Sequence, residues 1–380
     1  MQCLKLALSL LLLALPSLAG AAAALSADEV LQRLPQIDAF VQAEMQREKV
    51  PGIALGIVSH ATVVASKGYG LASVELRVPV SEATLFQSGS LGKQFTAVLV
   101  MLQVEDGKLR LEDPLTRYFH DAPRSWQAIT VRNLLNHTSG IADYTDYTTE
   151  QVSRRGGPSI DLRRDYSEEE LVKLAYRLPL EFPPGSRWKY SNTGYLLLGV
   201  LVHKVSGKFY GEVLRERVFV PLRMGTARVM SEADIIPDRA AGYRLVKGEL
   251  KNQEWVSPTL NTTADGALYL SVRDWLAWDR GLRAQAILQP GSWAEVYTPV
   301  TLSNGTKYPY GFGWDVDEAK GQPFYHHDGA WQGFTTTISR YLADDLTIVV
   351  LTNLAEASPE RFVQGIVALI DPELAKGKRR

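Results

Sequence analysis

Cysteine is almost missing from this chain: of 380 residues only Cys3 is one. Beyond it, neither thiol catalysis nor a disulfide framework is available. An excess of charge is missing too. Forty-one basic and 42 acidic residues leave a formal charge of −1, so nothing in the composition draws a nucleic acid or an anionic membrane as partner. No H-E-x-x-H or comparable ligand spacing exists; His326 and His327 are adjacent, but His60, His120, His137 and His203 are scattered, so neither a metal nor an organic cofactor is expected. Gly68-Tyr69-Gly70 starts like a dinucleotide loop, but Ser73 stands where the third glycine belongs. Long apolar runs are lacking as well. Residues 195–202 fall far short of the roughly 20 a spanning helix needs and read as a core helix. Lys5, the apolar stretch 6–18 and the small residues Ala19-Gly20-Ala21-Ala22-Ala23-Ala24 read as a secretory signal peptide, residues 1–24. Export to the periplasm or the medium is therefore expected, with no further transmembrane segment. Cys3 precedes the apolar run, which argues against a lipid-modified cysteine at the cleavage site.

What the chain does contain centres on Ser88-Gly89-Ser90-Leu91-Gly92-Lys93, running into the apolar segment 96–104. This reads as a turn that delivers Ser90 to the first turn of a buried helix. Residues i and i+3 are neighbours on a helix, so Lys93 stands beside the Ser90 hydroxyl. The positive end of the helix and burial both disfavour a charged ammonium, and a neutral lysine can take the serine proton. The pattern S-x-x-K arises by chance about once in a chain this long. A second copy, Ser186-Arg187-Trp188-Lys189, follows Pro183-Pro184-Gly185, a turn signal rather than a helix entry, and is read as the decoy.

Along the chain, Ser26 with Glu29 reads as a capping box, and Ile37, Phe40, Val41 and Met45 share one helical face until Val50-Pro51-Gly52. Strands are expected over 53–59 and 62–67, joined as a hairpin at His60-Ala61. Residues 109–265 are helical and loop-rich, with a short helix from Val131 ending at Gly140 and another opened by Ser167 and Glu170 through Leu178. Strand texture returns over 334–340 and 346–352, and a helix is expected over 358–370. The simplest closure is an α/β (α+β) fold. One antiparallel sheet pairs the early hairpin with the late strands, terminal helices cover it, and a mostly helical domain is inserted.

Two further patterns carry chemistry. In Tyr190-Ser191-Asn192, a phenol near a lysine ammonium is expected to have a depressed pKa and so accept a proton, while Asn192 can hydrogen-bond the lysine or a substrate amide. His327-Asp328-Gly329-Ala330-Trp331 lies at the mouth of the late strands. A G-x-S-x-G elbow is absent, since Ser88 stands two residues before Ser90, which disfavours an α/β-hydrolase.

With Ser90-Leu91-Gly92-Lys93, Tyr190-Ser191-Asn192 and His327-Asp328-Gly329 in that order, the chain resembles the serine β-lactamase and penicillin-binding-protein-like superfamily. The likeness is to its class C branch, which includes esterases, D-aminopeptidases and D-Ala-D-Ala peptidases. Leu134-Leu135-Asn136-His137-Thr138-Ser139-Gly140, residues 184–194 and residues 329–353 support it, so it covers nearly the whole mature chain. The resemblance implies a β-lactamase/transpeptidase-like hydrolase domain over 25–375, with a sheet lobe at about 36–90 and 266–372 and a helical lobe at about 91–265. It implies Ser90 as acylated nucleophile, Lys93 as its proton partner and Tyr190 as general base. Asn192, His327, Asp328, Gly329, Ala330 and Trp331 would bind substrate, with the N–H groups of Ser90 and Ala330 forming the oxyanion hole.

The third motif departs from K-T-G, where lysine and threonine hold a substrate carboxylate. A neutral histidine attracts carboxylate poorly, and Asp328, if inward, repels it and favours an amino-bearing substrate. The expectation is an exported, cofactor-free serine hydrolase that cleaves an ester or amide of a small molecule or peptide through an acyl-enzyme. The alternatives are a D-Ala-D-Ala carboxypeptidase, a D-aminopeptidase or weak β-lactamase, and a non-catalytic binding protein on the same fold. Trp331 is placed nearest the substrate, while Trp126 and Trp188 are expected to pack.

Overall fold

The computed structural model describes residues 25–148 and 159–376. The leader with Cys3, and residues 377–380 of the basic tail, lie outside them. Ser26 accepts from Glu29 N and the Glu29 carboxylate returns a bond to Ser26 N, opening the helix Ala27–Gln32. The helix Leu34–Glu48 follows, its buried stripe formed by Ile37, Val41 and Met45 at spacings of four, with Phe40 half-buried.

A seven-stranded antiparallel sheet forms the frame. From one edge its order is Asp315–Ala319, Gln322–Trp331, Phe334–Tyr341, Leu346–Thr352, Gly52–Ser59, Thr62–Ser73 and Val78–Pro79. The expected pairing of early hairpin with late strands is met: Ile53 faces Thr352 and Ser59 faces Leu346. His60 and Ala61 have φ of 49° and 59°, the primed-turn signs that match the twist of a tight hairpin. The second strand runs on to Ser73, past its expected end at Lys67. Two strands went unanticipated. Asp315–Ala319 and Gln322–Trp331 carry acids and the run His326-His327-Asp328-Gly329, which breaks the apolar alternation that marks a strand. The His327 motif therefore lies within a strand.

Every residue of Gly52–Ser59, Phe334–Tyr341 and Leu346–Thr352 is buried, because both faces of the sheet are covered. Ile53, Leu55, Ile57, Ile348 and Val350 face the helices Leu34–Glu48 and Pro359–Ile370. Ala54, Ile338, Val349 and Leu351 point the other way, into a larger core with Val272, Trp275 and Trp278 of the helix Val272–Arg283. This is the period-two alternation of a strand read by two cores.

Between the two halves of the sheet lies the inserted segment, built on the buried helices Lys93–Glu105 and Asn192–Ser206, which pack together. It is less purely helical than expected. Phe86–Gln87, Leu268–Leu270 and Arg228–Val229 form a small sheet, and Tyr243–Val246 pairs with Glu249–Asn252. The helix Val131–Leu135 stops before Gly140 because His137 takes the left-handed conformation at φ 60°.

One buried ion cluster fastens helix to sheet. Asp279, whose side chain is 1% exposed, accepts from Arg340 Nε at 3.0 Å, Thr347 Oγ1 at 2.8 Å and Arg283 Nε at 2.5 Å. Removing one partner of such a pair strands the other charge in the core. Asp279→Ala is expected to lower unfolding stability by about 3–5 kcal/mol, read as a lower urea midpoint at unchanged slope. A loss below about 1 kcal/mol would mean that water reaches Arg340 and the cluster is no clamp.

Candidate active site

Ser90 lies in a 3-10 turn, Gly89–Gly92, which winds directly into Lys93–Glu105. The expected serine at the mouth of a buried helix is found, with its first turn tightened. Glycine is required at two points. Gly89 has φ 51°, and a methyl there would stand 2.5 Å from Ala330 N; one on Gly329 would stand 2.1 Å from Ser88 O. The strand Gln322–Trp331 thus meets the serine turn backbone to backbone, and Thr336 Oγ1 donates to Ser88 O at 2.8 Å. That contact brings Ser90 and Ala330 to one cleft of about 380 Å³, also lined by Tyr144, Asn192, Asp265 and Trp331.

Lys93 is wholly buried, and its Nζ has three oxygen neighbours: Ser90 Oγ at 3.0 Å, Asn192 Oδ1 at 2.7 Å and the Asp265 carbonyl at 2.6 Å. Burial pushes its pKa down to about 8, against the pull of Asp265 and then Asp143 in the other direction. A neutral amine has two N–H groups and one lone pair. The amide oxygen of Asn192 and the Asp265 carbonyl accept only, so they take both hydrogens and turn the lone pair toward the Ser90 hydroxyl. Asn192 is itself fixed, since Asp143 Oδ2 accepts from its Nδ2 at 3.0 Å and from its backbone N at 2.7 Å. Burial raises the Asp143 carboxyl, and the hydrogen bonds from Asn192 and Thr145 hold it back.

Tyr190 packs with its ring centroid 4.8 Å from Lys93 Nζ. Its hydroxyl is buried without a hydrogen bond of full geometry among the described residues. Burial pushes the phenol well above its ordinary pKa, and the Ser90 hydroxyl offsets part of this. The expected depression by a lysine ammonium is thus not found. The reason is physical: the cost of burying a phenolate outweighs what the neighbouring amine can return.

Behind Tyr190 runs a buried chain of rings. Ser191 N–H donates to His137 Nδ1 at 3.2 Å, so the His137 proton sits on Nε2 and goes to Tyr310 Oη at 3.1 Å. The Tyr310 hydroxyl then donates to His327 Nε2 at 3.0 Å, and His327 Nδ1–H to the Asp328 carbonyl at 2.7 Å. Every donor meets an acceptor when both imidazoles are neutral. Burial first, and Lys93 second, push His327 down to about 4 and His137 well below its ordinary value.

The remaining expected site residues divide. Ala330 and half-buried Trp331 line the cleft, and Trp331 Nε1 is held by Asn261 Oδ1 at 2.7 Å. Gly329 supplies the close backbone approach. His327 is buried behind the half-buried Tyr190, and Asp328 is exposed and does not line the cleft. Trp126 is core, and Trp188 stacks on Tyr308 at 4.0 Å. The decoy lysine, Lys189, pairs with Glu181 at 2.7 Å on the surface. Sequence reasoning missed Asp143, Tyr144, Asp265 and Tyr310. The glycine and aromatic run Tyr310-Gly311-Phe312-Gly313-Trp314 was the one signal that pointed to any of them.

Known proteins resemble this chain in sequence and in fold. The chain is 30% identical over 321 residues to penicillin-binding protein 4* of Bacillus subtilis strain 168, covering 78% of this chain and 68% of that protein. It is 26% identical over 323 residues to a D-aminopeptidase of Brucella melitensis biotype 1, covering 84% of this chain but only 60% of that protein's length. Among solved structures, the octameric penicillin-binding protein homologue from Pyrococcus abyssi superposes with a TM-score of 0.77 at 28% identity, over 90% of this chain and 78% of that one. The D-amino acid amidase from Ochrobactrum anthropi SV3 superposes at 0.72 over 89% and 98%, and at 24% identity speaks for the fold alone. The family model described as Beta-lactamase matches residues 37–370, and the chain belongs to that family of serine hydrolases.

Proposed function

We propose that this protein is a serine amidase or peptidase that forms an acyl-enzyme at Ser90, with D-amino-acid amides or peptides as its substrate class and activated esters as accessible surrogates. The observation that carries the reading is the buried Lys93 amine, 3.0 Å from Ser90 Oγ with its two hydrogens already engaged. Lys93 takes the Ser90 proton as Oγ attacks the substrate carbonyl. The oxyanion settles between the Ser90 and Ala330 N–H groups, donors typically worth about 3 kcal/mol each. Tyr190, a neutral phenol at rest, gives its proton to the leaving nitrogen and recovers one from the Lys93 ammonium, so the C–N bond breaks without releasing a free amide anion. Water then attacks the ester, its proton returns through Tyr190 and Lys93, and Ser90 leaves as the hydroxyl.

The name of the Brucella relative supports a D-amino-acid substrate. The cleft's own chemistry argues against β-lactams as its design target, because its described lining offers no lysine or arginine to a carboxylate and His327 is neutral. Weak β-lactam acylation remains compatible with the machinery. Export through the apolar leader belongs to the same reading, since cell-wall peptides are the accessible source of D-amino acids outside the cytoplasm.

Intact-protein mass spectrometry tests the nucleophile. Brief exposure to a fluorophosphonate or an activated D-alanyl ester is expected to add one acyl or phosphonyl mass to the parent and none to Ser90→Ala, with penicillin labelling much slower. Absence of any Ser90-dependent adduct would leave a binding protein, and penicillin labelling as fast as the ester's would return the substrate to carboxylate-bearing peptides. The base is tested by pH. Protonated Lys93 cannot accept the serine proton, so kcat/KM for a neutral ester should rise as pH increases through about 8 and then level. A profile flat from pH 6.5 to 9, or turnover retained in Lys93→Arg, would remove Lys93 from the role.

A further inference from the structure

The substrate site holds a carboxylate that the acyl-transfer chemistry does not use. Asp265 lines the catalytic cleft and is 8% exposed. Tyr144 Oη donates to its Oδ2 at 2.7 Å, and its Oδ1 accepts no hydrogen bond among the described residues. No lysine or arginine stands among the described lining residues, and the buried Lys93 amine, whose protonated form the Asp265 charge favours, bonds the Asp265 carbonyl and Asn192 rather than the carboxylate. Its position relative to the nucleophile is fixed twice over. Its carbonyl accepts from Lys93 Nζ, the amine that touches Ser90 Oγ, and the next residue, Gly266, packs so closely on the serine turn that a methyl there would stand 3.2 Å from Ser90 N.

We infer that Asp265 is a specificity residue that binds a cationic amine on the acyl side of the substrate. This rests on the hydrolase reading above and deepens it. An α-ammonium lies two bonds from the reacting carbonyl carbon, so a group that recognises it must stand beside the nucleophile, where Asp265 is tied. The pinned Oδ2 holds the carboxylate plane, leaving Oδ1 to accept from the ammonium, a charge-assisted hydrogen bond to a carboxylate that is itself largely buried. The acid that the sequence suggested for this task, Asp328, is outside the cleft, and Asp265 takes its place.

Binding to an inert nucleophile variant separates this inference from turnover. In Ser90→Ala at pH 6.5, D-alanyl p-nitroanilide is expected to bind about tenfold or more tighter than propionyl p-nitroanilide, which lacks only the amine. In Ser90→Ala with Asp265→Asn, which keeps the acceptor for Tyr144, that preference should disappear; with Asp265→Glu, which keeps the charge, it should persist. Equal binding of the two anilides by Ser90→Ala overturns the inference, as does a preference that survives Asp265→Asn. If the asparagine variant fails to fold by circular dichroism, loss of the preference in the glutamate variant overturns it. A missing Ser90 adduct in the parent would count against the hydrolase reading alone, since these affinities need no turnover.

Discussion

An amine taken wholly out of water is the constraint around which the site is built. Lys93 can be buried only because three oxygens surround its Nζ, and each oxygen reaches it from a different part of the chain. Ser90 comes from the same turn, Asn192 from the start of the second buried helix, and the Asp265 carbonyl from the loop before Leu268–Leu270. The lysine therefore fixes the relative position of helices and small sheet as much as they fix it. Burial also lowers the pKa of the amine to about 8, which is what the base role proposed for it requires. Asp143 and Asp265 oppose that shift and keep it moderate. Without them the amine would be a weaker base, and with more of them it would stay charged.

The ring chain behind Tyr190 obeys the same economy. An imidazolium at His137 or His327 would lie in the core beside Lys93, and each bond in the chain is already satisfied with one proton per imidazole. Tyr310 joins the two because a hydroxyl can accept from one ring and donate to the other, which phenylalanine at that position could not do. The wall of the cleft nearest the phenol is thus apolar in charge though rich in nitrogen and oxygen.

Some of this was legible in the sequence and some was not, for reasons that follow from range. Ser90 and Lys93 were legible because a helix makes i and i+3 neighbours, a local rule that needs no fold. The hairpin at His60-Ala61 and the buried stripe of Ile37, Val41 and Met45 were legible for the same reason. Asp143 and Asp265 were not, because their partners lie 49 and 121 residues away and no local pattern marks them. The strand Gln322–Trp331 was hidden by its own composition, since the run His326-His327-Asp328-Gly329, whose glycine lets the strand meet the serine turn, is what spoils strand alternation. The inserted segment was read as helical because strand pairs as short as Phe86–Gln87 leave no periodic trace.

On the acyl-transfer reading proposed above, the burden of stabilising the oxyanion falls on backbone dipoles. Tyr190 is a phenol, both imidazoles are uncharged and the described cleft lining holds no lysine or arginine, so on that reading no cation meets the oxyanion directly. The groups that can meet it are the N–H donors of Ser90 and Ala330, and such dipoles act most strongly when they are already oriented. Rigidity of that kind requires two main chains to touch, and a side chain at Gly89 or Gly329 would hold them apart. The strand and the serine turn belong to parts of the chain more than 200 residues apart, so the long insertion between the two halves of the sheet can be folded only in ways that let that contact close. Ala330 is then set by the sheet and Ser90 by the helix. An oxyanion held between their N–H groups, as the proposed function has it, would be as fixed as the packing of one against the other.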